Sequence, residues 1–584
     1  VGADCVRCAA AKQSVISFGT FTLRRAGGFM DYRYLLIIPG LFIIIALKAV
    51  YDSFSEKRKT KAMLLSRWGK LPDKEYAAGK YESIQKYYES ICEENDVDDI
   101  TWNDLDMDDI YMLLDNTQSA MGEEMLYACL RKPLFDEKEI YYRDKIIDYF
   151  QKNNDDRITI QSKLRIIGSN RNISFYEFFS RLKEVKKESN IYHYIIDLAW
   201  IMGIVMLFVN TAAAVTILVV NVGASIMLYY KRKSQIEAYY SILNYVLRML
   251  YCAKKLSVVS MPIIKNELDV IKGIYGKLSS FRRMSGIVLN PNGGNLLDIM
   301  LDYVRMLTHI DLIKFNRMLG TIIKKNDEIL KLHETIGFLD VMIAAASYRE
   351  MCNESGWCVP QITDDVSVDV SDIYHPMLDN PVYNSISTKG GILVTGSNAS
   401  GKSTFLKAVA INAILAQTIA TVNASSYKAA CFRVMTSMAL KDNLVNNQSY
   451  FIVEIMSLRR ILCAAGKTPV LCCIDEVLRG TNTIERIAAS SEILKKLNDE
   501  GVICFAATHD IELARILGRH YANYHFQEKI EDDKIIFDYI LYDGCSVTKN
   551  AIKLLGLLEY EKEVVDLAKR LADTFEKTGI WPEI

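Results

Sequence analysis

Apolar residues along this chain form three kinds of pattern, and each predicts a different element. Two stretches are continuously apolar and uncharged: "YLLIIPGLFIIIAL" at 34 to 47 and "LAWIMGIVMLFVNTAAAVTILVVNVGASIMLYY" at 198 to 230. The first, extended through "KAVYDSF" with Lys48 reaching outward, has the length of one membrane-spanning helix. The second has 33 residues. As one straight helix it would run about 50 Å against a hydrocarbon core of about 30 Å. It therefore predicts a hairpin of two crossings that turns near Asn210 and Thr211, with one tilted span or a pair of buried core helices as the alternatives.

Elsewhere the pattern is helical or strand-like. "LLDIMLDYVRMLTHIDLIKFNRML", 296 to 319, repeats apolar residues at three and four spacing, and 62 to 190 is polar and rich in Tyr, Lys and Glu, so long soluble helices are expected in both regions. Three short runs instead predict buried strands: "GGILVTG" from 390, "PVLCCIDE" from 469 and "VICFAATHD" from 502.

Charge orients these pieces. "EKRKTK" at 56 to 61 follows the first apolar stretch, and Lys186, Lys187 and "KRK" at 231 to 233 flank the second. Basic flanks stay cytoplasmic, so both ends of the hairpin and everything after it are expected on the cytoplasmic side of the cell membrane. Lys plus Arg (70) nearly equals Asp plus Glu (71), so no global basic field marks a nucleic-acid binder.

The strand-like runs carry the candidate chemistry. Strand, glycine loop and helix succeed one another around "GSNASGKST", comprising Gly396, Ser397, Asn398, Ala399, Ser400, Gly401, Lys402, Ser403 and Thr404. In that context the glycines let backbone N–H groups turn onto phosphates, Lys402 supplies a charge for the β and γ phosphates, and Ser403 offers a hydroxyl to Mg²⁺. The second run ends in Asp475, a candidate for the metal's shell, and Glu476, which can orient an attacking water. The third ends in His509, placed to sense a γ-phosphate. Lys402, Glu476 and His509 are thus the catalytic candidates, and Ser403 and Asp475 the Mg²⁺ candidates. No Ser/His/Asp nucleophile set or metal cluster competes with them.

Length and cysteine usage add bounds. At 66.4 kDa the chain has room for about three to four domains. Thirteen scattered cysteines, with Cys472 and Cys473 adjacent in an apolar run, read as reduced and cytosolic. A lone pair at Cys5 and Cys8 is too few ligands for zinc. Residues 1 to 29 lack apolar periodicity and precede Met30, which reads as a natural start.

"TGSNASGKSTFLK", "DEVLRGTNT" (475 to 483) and "ATHD" (507 to 510) together resemble the ATPase domain of the MutS family of DNA mismatch repair proteins, within the wider ABC-type ATPases. "DNLVNNQSYFIVE" at 442 to 454, "IYHPML" at 373 to 378 and "YDGCSVTKNAIKLL" from 542 extend the resemblance, and 113 to 150 resembles the start of the family's helical core.

The fold class expected is an α/β P-loop ATPase domain of ABC/MutS type, C-terminal to an all-α helical core, with N-terminal and internal transmembrane helices. The expected organisation is an extension at 1–29, an anchor at 30–55, a cytoplasmic helical region at 56–190 with core-like sequence from about 113, and a transmembrane hairpin at 195–230. Helical arms at 235–360, the ATPase domain at 361–570 and a tail at 571–584 follow.

The resemblance implies hydrolysis of ATP with Mg²⁺, a homodimer through facing ATPase domains, and Ser449 reaching the partner's nucleotide. The space before the core is taken by the anchor, so no mismatch recognition is expected. Membrane lipid, an unknown protein and DNA bound without mismatch specificity are the expected partners. A membrane-tethered DNA clamp of repair or recombination, and the ATPase subunit of a transport or signalling assembly, are the alternative functions.

Overall fold

The computed structural model describes residues 33–76, 79–168, 189–278, 303–397, 400–438, 450–479, 481–531, 534–545 and 560–583, with single residues between some of these stretches. Cys5, Cys8, Asn398, Ala399 and Ser449 lie outside the described residues. Two units divide at Met63. The first is described by helix α1, Arg33–Arg67, which runs unbroken through the basic stretch at 56 to 61 and ends within the second unit.

In the second unit short helices come first: α2 (Lys80–Glu89), α3 (Asp99–Asp104), α4 (Met107–Leu114), α5 (Ala120–Arg131), α6 (Glu137–Lys152) and α7 (Asn154–Leu164), and three of them start at a side-chain cap. Their starts are written in the sequence. Asp98, Ser119 and Asp136 each accept a backbone N–H of the following turn, the role that favours short oxygen-bearing side chains at N-caps.

Helix α5 lies against α12 (Asn326–Met351), and the two approach so closely that glycine is required on both. A Cβ on Gly337 would sit 2.9 Å from Met121 O, and one on Gly122 would sit 2.3 Å from Asp340 Oδ2. Asp340 itself is fully buried at the N-terminus of α5. It accepts from Ser119 N at 2.9 Å, Ser119 Oγ at 2.6 Å and Gln118 N at 3.0 Å. These bonds favour the carboxylate, but burial outweighs them and pushes its pKa up to about 7.

The long apolar stretch folds as a hairpin. Helix α8 (Ile191–Met206) ends in a turn, and Asn210 caps helix α9 (Thr211–Leu256) by accepting Ala213 N at 3.2 Å. Gly203 permits the crossing, since a Cβ there would lie 2.6 Å from Leu218 Cδ2. Asn221 Nδ2 donates across the hairpin to Ile196 O at 3.2 Å, and Trp200 Nε1 donates out of it to Leu307 O at 2.9 Å.

The outer face is exposed and apolar, with Phe208 90% and Val209 77% accessible at the turn. Among the described residues one helix, Thr211–Ser234, is long and apolar enough to cross a membrane by length and composition, while Ile191–Met206 is apolar but shorter. Of the three crossings expected from sequence, that criterion returns this one. No break separates the hairpin from the arm after it, because α9 continues through Lys231, Arg232 and Lys233 to Leu256. Helices α10 (Lys265–Lys277) and α11 (Ile310–Lys324) then lead to α12.

The rest of the chain is a mixed α/β part with two main sheets. Strands β1 (Gln361–Ile362), β2 (Val368–Ile373), β3 (Asn384–Thr388) and β5 (Ser426–Ala429) form a four-stranded sheet ordered β1-β5-β2-β3. The larger sheet is made of β4 (Gly391–Thr395), β6 (Arg433–Ser437), β7 (Val470–Asp475), β8 (Ile503–Thr508), β9 (Tyr521–His525) and β12 (Tyr542–Asp543), ordered β12-β9-β4-β8-β7-β6. All its pairings are parallel except that of β12 with β9. β4, β7 and β8 are nearly continuous in apolar residues because helices cover both faces.

Helix α13 (Lys402–Ile419) packs on one face, and α14 (Tyr450–Ala464), α15 (Thr483–Asp499) and α16 (Ile511–Ile516) pack on the other. A small hairpin, β10 (Glu528–Glu531) with β11 (Lys534–Phe537), follows β9, and α17 (Lys562–Thr578) lies near the C-terminus.

Hydrogen bonds join the helical and α/β parts. Tyr348 OH on α12 donates to Asn423 Oδ1 at 2.7 Å, and Asn423 N donates to Asn412 Oδ1 on α13 at 2.6 Å. The buried Arg349 guanidinium beside them donates to Thr421 Oγ1 and Ala420 O and pairs with Asp144 at 2.8 Å. On the edge strand, Asp104 of α3 accepts Thr436 Oγ1 at 2.7 Å and Met438 N at 2.9 Å.

Candidate functional site

The register of the large sheet gathers the candidate residues at one edge. Thr395 pairs with Thr508 and Asp475 with Ala507, so the loops after β4, β7 and β8 leave the sheet side by side at its carboxyl end. In open parallel sheets ligands bind in the crevice outside those strand ends. The loop from Gly396 runs to the N-terminus of α13. Gly396 (φ 144°) and Gly401 (φ 103°) adopt backbone angles that L side chains rarely reach.

Lys402 opens α13 and is buried, with Nζ donating to Gly396 O at 2.8 Å and Ser397 O at 2.7 Å. Burial lowers its pKa, and the charges of Asp475, Glu476 and Glu528 oppose that shift. Ser403 Oγ donates to Asp475 Oδ2 at 2.5 Å. A hydroxyl and a carboxylate oxygen held together are hard donors of the kind Mg²⁺ takes, so these two residues fit the ion.

Glu476 follows Asp475 in a left-handed conformation (φ 58°), as does Leu478 (φ 59°). Such angles in non-glycine residues carry strain that surrounding contacts must hold. Here the contacts are specific. Glu476 N donates to Ala507 O at 3.0 Å, and the buried Glu454 of α14 accepts Leu478 N. Burial raises the Glu454 pKa, while the backbone N–H groups of Leu478 and Arg479 pull it back.

The Glu476 carboxylate meets His509 Nε2 at 2.6 Å and Arg479 Nε at 2.5 Å. Arg486 of α15 grips Asp510 through two bonds of 2.9 and 2.7 Å, which fixes the loop carrying His509.

Beside the loop lies a cavity of about 330 Å³, walled in part by Tyr374, His375, Thr404, Phe405 and Tyr539. Tyr539 comes so close to the loop that a Cβ on Gly401 would lie 3.0 Å from its ring. Tyr374 lies in the "IYHPML" stretch, whereas Tyr539 is marked by no motif. They reach the site through the sheet, and their place follows from tertiary structure.

Residues 392–576 match the family model of MutS domain V. Over this segment the chain is similar to the MutS family. Similar relatives are the DNA mismatch repair proteins MutS of Methanosarcina barkeri, 27% identical over 46% of this chain and 31% of the relative, and of Leptospira interrogans, 30% identical over 41% and 29%. The MutS of Lactobacillus acidophilus is 30% identical over 48% of this chain and 34% of its own length. The matches thus span about a third of these relatives.

Within the domain V segment the structure brings Gly396, Ser397, Ser400, Gly401, Lys402, Ser403, Thr404, Asp475, Glu476 and His509 to one edge of the sheet. Arg479 lies within "DEVLRGTNT", but its grip on Glu476 is not legible in that stretch. Among the described residues no group of three or more His, Cys, Asp or Glu side chains forms a further metal site.

Proposed function

We propose that the chain is a membrane-anchored ATPase of MutS type with the P-loop ATPase fold, which binds ATP at 396–404 and hydrolyses it. One observation carries this: Lys402, the Ser403–Asp475 pair and the Glu476–His509 pair converge on the carboxyl edge of a parallel sheet. Phosphoryl transfer asks mainly for positioning and charge stabilisation, which this set supplies. Mg²⁺, when bound, would neutralise phosphate charge, with Ser403 and Asp475 as its holders. Lys402 exchanges its two carbonyl acceptors for phosphate oxygens, Glu476 orients water, and His509 with Arg479 holds that carboxylate in place. The cavity flanked by Tyr374 and Tyr539 takes the base.

The hairpin supports the membrane part of the reading, with an exposed apolar face and a basic collar at 231 to 233. The α/β part then lies in the cytoplasm, and nucleotide state is read out as dimerisation and as movement of the helical arms against the hairpin.

Purified full-length chain in detergent tests the core of this. Glu476→Gln should keep nucleotide binding and lose turnover by about a hundredfold, whereas Lys402→Ala should weaken binding itself. Full turnover in both variants would sink the assignment. The relatives' names favour a second reading, a membrane-tethered DNA clamp. Steeply salt-dependent DNA affinity supports that clamp, and more than about a tenfold preference for mismatched duplex overturns the expectation of no mismatch recognition.

A further inference from the structure

Helix α14 turns one face to the α/β core: Leu458 and Ile461 pack there in the same apolar cluster as Val477 and Leu478. Glu454 stands on that face one turn earlier, and only 6% of it is exposed. A carboxylate in such a place is costly unless it is hydrogen-bonded. What it bonds is the turn that follows Glu476. Leu478 N donates to Glu454 Oε1, and the Arg479 N–H also favours the charged form. Successive backbone N–H groups that converge on one anion form a nest, and here the anion belongs to the chain itself.

The peptide unit between Val477 and Leu478 is thereby held on both sides. Its N–H meets Glu454, and its carbonyl accepts from Ser490 Oγ of α15 at 3.3 Å. Leu478 is left-handed, with φ 59°. A leucine relieves such strain by rotation of the planar unit before it, which turns the N–H and the carbonyl together. Both bonds oppose that rotation, and the charge-assisted one to Glu454 is the stronger. Arg479 follows directly, and its half-exposed side chain reaches Glu476 at 2.5 Å and Asp475 at 3.7 Å. Once the unit rotates, the aim of Arg479 at these two carboxylates depends on an exposed side chain alone.

We propose that Glu454 is a positioning residue for hydrolysis, which locks the 477–478 peptide unit so that Arg479 and Glu476 keep their orientation. The proposal rests on reading Glu476 as the residue that orients water. Glu454 acts through the turn after β7 and not through the loop at 396–404. Its effect therefore falls on the chemical step and spares nucleotide binding.

Steady-state hydrolysis and nucleotide titration of the full-length chain in detergent test this, with wild type, Glu454→Ala and Glu454→Gln compared per folded molecule. Glu454→Ala should lower kcat about thirtyfold while KM and ADP affinity stay within about threefold, since a misaligned group costs rate and not uniform binding. Glu454→Gln keeps an acceptor for Leu478 N and should recover kcat to within about fivefold of wild type. Amide hydrogen exchange adds a readout independent of activity: Leu478 should exchange slowly in wild type and about tenfold faster in Glu454→Ala. Unchanged kcat in Glu454→Ala, an equal loss of affinity, or a glutamine variant as slow as the alanine one overturns the proposal. Fast exchange at Leu478 in wild type overturns it too, whether or not the variants fold. Wild type without turnover removes the hydrolysis reading and the proposal with it, whereas active wild type beside an equally active Glu454→Ala removes the proposal alone.

Discussion

His509 Nε2 and Glu476 Oε1 lie 2.6 Å apart, across the ends of two neighbouring parallel strands. Arg479 Nε takes the other carboxylate oxygen at 2.5 Å. With both oxygens held, Glu476 has one orientation; Ala507 O holds its strained backbone, and Glu454 holds that of Leu478. Removing the imidazole frees the carboxylate to rotate without touching the phosphate loop. His509→Ala should therefore lower turnover by about a hundredfold while nucleotide affinity stays within about twofold. Comparable losses in both quantities would mean that His509 holds the nucleotide and not the Glu476 carboxylate.

The composite-site expectation concerns Ser449, which lies in a stretch outside the described residues. By its resemblance Ser449 reaches the partner's nucleotide, so Ser449→Ala should impair nucleotide-driven dimerisation and leave binding by single chains intact. Mixing that variant with Lys402→Ala is the sharper measurement. In each mixed dimer one site combines an intact Lys402 with an intact partner Ser449, and activity should partly return. Mixtures no more active than the separate variants would mean that each chain works alone.

Membrane topology follows from the hairpin and its flanks. Reporters fused after residues 60, 190 and 240 should all report cytoplasm. An external signal at 240 would leave the stretch from 198 to 230 crossing once, and the paired-helix arrangement of α8 and α9 would not apply in the bilayer.

Asp340 makes stability depend on pH. Its carboxyl is pushed up to about 7 by burial, against about 4 in an unfolded chain. Between those values the folded chain holds a proton that the unfolded chain has lost. The contribution is therefore fully present below about pH 4 and is lost as pH rises through about 7, with a slope of at most ~1.4 kcal/mol per pH unit. Asp340→Asn should flatten the fall in urea midpoint between about pH 5 and pH 8. Parallel profiles for the two proteins would show that Asp340 does not titrate in this range.

The sequence by itself determined the elements that local rules govern. Apolar runs ending in Gly396, Asp475 and His509 announced strands delivering chemistry at their ends, because a buried parallel strand must be apolar and its polar residues fall where it leaves the sheet. Asn210 marked the hairpin turn, since a short oxygen-bearing side chain caps a helix wherever the chain stops being helical. Spacing within one segment was enough for these. What required tertiary structure was every relation between distant segments. The strand order that sets Asp475 beside Ala507, the approach of Tyr539 to Gly401 and the seating of Glu528 on Ser397 depend on how the sheet assembles, and a linear pattern carries no record of which strand becomes whose neighbour. The unbroken run of α9 from apolar hairpin into polar arm was likewise hidden. A change of composition at 231 to 233 marks a change of surroundings, and the backbone hydrogen bonds of a helix pass through it without interruption.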